Sequence, residues 1–87
     1  MINTNKIESV VRAAIEPFRN DWERDCDWWC GIEDKKFEGA LLGIDIHIFS
    51  IDEEDSTKGL EAIVYPLEKG DEYLVANTNT TLIKFKI

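Results

Sequence analysis

"GIDIHIFSI", residues 43–51, decides the fold. On an extended chain Ile44, Ile46 and Ile48 fall on one side, and Asp45, His47 and Phe49 on the other. A period of two through β-branched and aromatic residues reads as a strand with two unlike faces. Downstream, "LEAIVYPL" (60–67), "EYLVA" (72–76) and "TLIKFKI" (81–87) read as further strands. The glycine of "EKGD" (68–71) suits a short hairpin, "NTNT" (77–80) is turn-forming, and Pro66 is expected at a strand end or on an edge. Loops this short cannot carry parallel crossovers, so neighbouring strands are expected to be antiparallel.

Upstream the period changes to that of a helix. Ile7, Val10, Val11, Ala14, Ile15, Phe18 and Trp22 form one apolar stripe. Asn5 followed by Glu8 has the spacing of a capping box. Pro17 removes a helical hydrogen bond, so a bent helix to about residue 24 is expected. The fold class is α+β: one N-terminal amphipathic helix packed on a four- to five-stranded antiparallel meander, with residues 1–87 as a single domain. The isoleucine face of the sheet should meet the helix. The other face carries Phe49, Ile63 and Tyr65, and either residues 25–38, a partner or a second copy is expected to cover it.

"DCDWWCG" (25–31) is readable as helix, with Gly31 as its stop, or as strand; tryptophan favours the strand. Trp28 and Trp29 then point to opposite faces, so one can join the core while the other anchors a partner. The two cysteines invite a metal or redox reading, which fares poorly. Four zinc ligands are wanted, and only His47 could join Cys26 and Cys30 as a further nitrogen or sulfur donor. Iron–sulfur clusters want four cysteines, and thioredoxin-like pairs have two intervening residues rather than three. On a strand, positions 26 and 30 lie about 13 Å apart, beyond disulfide reach. Buried free thiols are expected.

Other chemistry is thin. His47 and Asp45 share a strand face, but sequence sets no nucleophile beside them. No glycine-rich phosphate loop occurs, and the acids at 52–55 lack the alternating spacing of a calcium loop. No enzyme activity and no cofactor are expected. The N-terminus lacks the pattern of a secretory signal, and no apolar run nears the roughly 20 residues that span a bilayer, so a cytoplasmic location is expected.

Charge is the stronger clue. Eighteen acids against ten bases give a net charge of −8. Between Asp45 and Glu72 lie nine acids and two lysines, or −7 of that total. Such a chain repels nucleic acid and anionic membranes and favours a basic partner. The acids of residues 52–58 and 68–72 are expected at opposite ends of the sheet. The expected function is a small non-enzymatic protein that occludes a basic surface, as inhibitors, immunity proteins and DNA mimics of nucleic-acid-processing proteins do. Asp25, Asp27, Asp52, Glu53, Glu54 and Asp55 would steer association, and Trp28 or Trp29 would anchor it. Two alternatives are a domain that self-associates through Phe49, Ile63 and Tyr65, and a metal-binding protein using Cys26, Cys30 and His47. Monomer and homodimer are both compatible with the sequence.

Overall fold

A computed structural model describes residues 4–33 and 42–87. Helix α1 spans Thr4–Ile15, a 3₁₀ turn spans Glu16–Phe18, and helix α2 spans Arg19–Asp25. Five strands follow: β1 (Asp27–Glu33), β2 (Gly43–Ser50), β3 (Leu60–Lys69), β4 (Leu74–Ala76) and β5 (Ile83–Lys86). This is the expected α+β arrangement, a bent N-terminal helix on an antiparallel sheet. Asn5, which the sequence suggested as the helix cap, lies inside α1. Among the described residues no helix is long and apolar enough to cross a membrane.

Pro17 sets the bend. It has no N–H to offer Ala13, and the 3₁₀ turn carries the Arg19 N–H to the Glu16 carbonyl. The Ile15 carbonyl accepts the indole N–H of Trp22 at 2.8 Å. Trp22 therefore does two jobs: it fills the core and satisfies a buried backbone oxygen at the break. The Arg19 guanidinium covers its ring from outside, 5.0 Å from the centroid.

Helix α2 ends at Cys26, which caps it in the left-handed region at φ 54° and donates its N–H to the Trp22 carbonyl. The strand reading holds from Asp27, with Gly31 inside β1 rather than ending a helix, whereas Asp25 still belongs to α2 and Cys26 to its cap. Each strand then pairs with the next: β1 with β2 (Trp29↔His47) and β2 with β3 (His47↔Ile63). Ile44, Ile46 and Ile48 are fully buried beside Ala62 and Val64, beneath Ile7, Val11, Ile15 and Trp22. Gly43 is obligatory where β2 begins, since a Cβ there would stand 2.3 Å from the Ile32 carbonyl oxygen.

The last strand departs from a simple meander. β4 and β5 both pair with β3, along the same edge, at Leu67–Lys69 and Glu61–Val64. The chain does not reverse at "NTNT"; residues 77–82 bulge out and then resume the same direction. Pro66 explains the break. It lies inside an interior strand, not at an end, but its carbonyl accepts from Asn77 on that edge, so its missing N–H also faces the gap. No donor is lost from the β2 ladder.

Two stability outcomes follow. Trp22→Phe keeps most of the apolar bulk but orphans the Ile15 carbonyl, and should cost about 1–3 kcal/mol in urea denaturation. Cys26→Gly removes the left-handed strain at the cap, and should raise stability by about 0.5–1 kcal/mol in the same assay.

Candidate functional site

Strand parity builds the open face. The Ser50 N–H donates to the Cys26 carbonyl, so even-numbered residues of β1 and β2 exchange backbone hydrogen bonds with each other. Trp29 and His47 therefore form a non-hydrogen-bonded pair, the kind in which side chains come closest. Their rings stack with centroids 3.8 Å apart and planes 6° from parallel. Tyr65 lies 6.3 Å from the indole and Phe49 5.1 Å from the imidazole. From the diagonal position Asp27 Oδ1 accepts from His47 Nε2 at 2.6 Å.

The two tryptophans are assigned by the same parity. Trp28 points to the helix side, 5.5 Å from Phe18, and packs against the core. Trp29 is the outward indole, 49% exposed although stacked. Phe49, Ile63 and Tyr65 share its face, and each is half-buried among its neighbours. The segment 34–38, part of the expected cover for this face, lies outside the described residues.

The acids of "DCD" and those of the 52–55 loop meet. Asp25, Asp27 and Glu53 rim a hollow of about 480 Å³ that His47 and Phe49 also line. The link is legible in hindsight: Asp27 pairs with Phe49, four residues before Glu53. The loop acids divide by role. Asp52 Oδ1 accepts from the Glu54 N–H at 2.9 Å, and Asp55 Oδ1 accepts from the Thr57 N–H and hydroxyl. These bonds hold the Asp55 carboxyl below its usual value and fold the loop. Glu53 and Glu54 are left exposed, and among the described residues no cation within ion-pair distance reaches any of the four. Asp25 differs, because Arg24 bonds its carboxylate at 2.9 Å and lowers its pKa. The second acidic loop, with Asp71, Glu72 and the exposed Tyr73, lies at the far end of β3, as the alternation of hairpins requires.

Parity separates the residues of the metal reading. Cys30 shares the Ile46 side of the sheet and lines a groove with Val10 and Ala14, whereas His47 faces the other way. Cys26 sits at the helix cap, and both thiols are free and half-buried. Among the described residues no group of three metal-binding side chains assembles. Burial raises the Cys30 thiol pKa, and the nearby Asp45 adds to the effect. No protein family, curated protein or solved structure matches the chain, so the face is read from its own residues.

Asp45, half-buried in the middle of this face, has its pKa raised above 3.8 by burial, a rise that His47 partly offsets. A raised carboxyl makes folding less favourable once it must ionise, so its cost is absent at low pH and complete above its folded value. Asp45→Asn should therefore be more stable than the parent at pH 7. The gain should shrink as pH falls through the raised value and vanish below 3.8, which paired urea titrations across pH would read.

Proposed function

We propose that this chain is a non-enzymatic binding protein that occludes a basic surface of a partner, with nucleic-acid-processing proteins as the target class. The observation that carries the reading is the hollow in which Asp25, Asp27 and Glu53 surround His47 and Phe49, beside the outward indole of Trp29. Glu53 and Glu54 sit in no ion pair among the described residues, although Lys58 and Lys86 line a neighbouring hollow with them, and such exposed carboxylates draw in a positive partner and set its approach. They contribute little lasting affinity, because exposed ion pairs are weak.

The aromatic platform supplies what the acids cannot. Trp29 is already held flat by His47, so little rotational freedom remains to be lost when a partner covers it. An arginine or lysine laid on its open side gains cation–π attraction while its charge faces Asp27 or Glu53. Asp52 and Asp55 serve this surface indirectly, by shaping the loop that presents Glu53 and Glu54.

Affinity capture with the immobilised chain tests the proposal. Basic proteins should be retained at about 50 mM salt and released steeply by about 200 mM. Glu53→Lys with Glu54→Lys should abolish capture, and Trp29→Ala should weaken it by at least tenfold. Asp71→Lys with Glu72→Lys, at the opposite end, should leave it nearly unchanged. Capture insensitive to salt, or lost equally with both pairs of reversals, would overturn the reading.

A further inference from the structure

The apolar stripe of the helix is wider than the sheet beneath it. Ile7, Val11, Ile15 and Trp22 are buried, but the flank formed by Val10, Ala13, Ala14 and Phe18 overhangs β1. With Cys30 and Ile32 it lines a groove of about 410 Å³ whose walls are almost wholly apolar. Below this groove runs a sheet edge that no strand covers among the described residues. Among the described residues β1 pairs only with β2. Since its even-numbered residues bond inward, the N–H and C=O groups of Asp27, Trp29, Gly31 and Glu33 point outward. Strands that are long, straight and open on one side are templates for another strand unless something blunts them. On the opposite edge β3 is covered by β4 and β5. The β1 edge carries no proline or lysine.

We infer that the β1 edge and the groove above it dock a basic, extended segment of a partner, added to the sheet as a further strand. Parity sets its pattern. Residues opposite Trp28, Cys30 and Ile32 enter the groove between α1 and β1, so they are apolar and of about valine size. Residues opposite Asp27 and Glu33 emerge on the other face beside exposed carboxylates, so they are cationic. A small side chain fits opposite Gly31. The main-chain bonds supply affinity, and the alternating side chains supply choice of partner.

Charge also rules on the rival occupant, a second copy of the chain. Pairing β1 antiparallel with itself over its full length sets Asp27 of each copy against Glu33 of the other. Like charges directly opposed across a ladder destabilise it, and each copy brings a net charge of −8. A basic strand meets no such penalty. This site shares Asp27 with the rim of the acidic hollow, but its groove lies on the opposite, helix-facing side of the sheet.

The test uses a capped, labelled peptide, Lys-Val-Thr-Val-Ser-Val-Lys, titrated into the whole chain. Binding is expected, with exchange of the Asp27, Trp29, Gly31 and Glu33 amides slowed by the peptide. The same peptide with glutamate at both ends should bind at least tenfold more weakly. Gly31→Pro deletes one outward donor and leaves the β1–β2 ladder whole, since the Gly31 N–H does not face β2. That variant should lose at least tenfold in peptide affinity while keeping its capture of basic proteins, which separates this site from the acidic face. Equal binding by Gly31→Pro, equal binding of the glutamate peptide, or outward amides already protected in the free chain would overturn the inference. Should Gly31→Pro fail to fold, the exchange measurement on the parent chain decides alone.

Discussion

Burial of Ile44, Ile46 and Ile48, each with no exposed surface, is the constraint on which the rest of the molecule depends. Side chains alternate along a strand, so fixing three of them under the helix fixes every neighbour. A slip of one residue would put Asp45 and His47 into the core and the isoleucines into water. That alternative is excluded by several kilocalories of lost burial, at about 1.5–3 kcal/mol for each isoleucine. The same parity passes through the ladders to β1, where it sends Trp28 inward and Trp29 outward. It also places Cys30 and His47 on opposite faces of the sheet, which divides the Cys26, Cys30 and His47 set.

The bent helix serves this arrangement. Pro17 breaks it, Trp22 seals the break, and Cys26 turns the chain directly into β1. The turn is tight enough that Asp25 and Asp27 emerge on either side of it, near the loop that follows β2. Backbone geometry therefore assembles the acidic rim.

Much of this was legible in the sequence because it rests on periodicity. The helix stripe, the kink at Pro17, the alternation in 43–51 and the opposite placement of the two acidic loops all follow from counting residues. What was not legible rests on register and on backbone detail. Asp27 could be placed near Glu53 only once its pairing with Phe49 was known. The "NTNT" segment carries ordinary turn chemistry, and nothing in its residues says whether the chain reverses or bulges. That is decided by Pro66, ten or more residues earlier, whose absent N–H leaves a gap in the ladder. The left-handed cap at Cys26 was hidden because glycine or asparagine usually holds that position.

The fold gathers Asp25, Asp27 and Glu53 around an aromatic platform, and under the proposed function a basic partner docks there. A two-dimensional NMR titration of the chain with a short arginine-rich peptide tests it most directly. The Trp29 indole N–H and the backbone signals of Asp25, Asp27 and Glu53 should shift together, while the buried Trp22 indole stays still. Shifts spread evenly over all eighteen acids, or centred on residues 68–72, would contradict it.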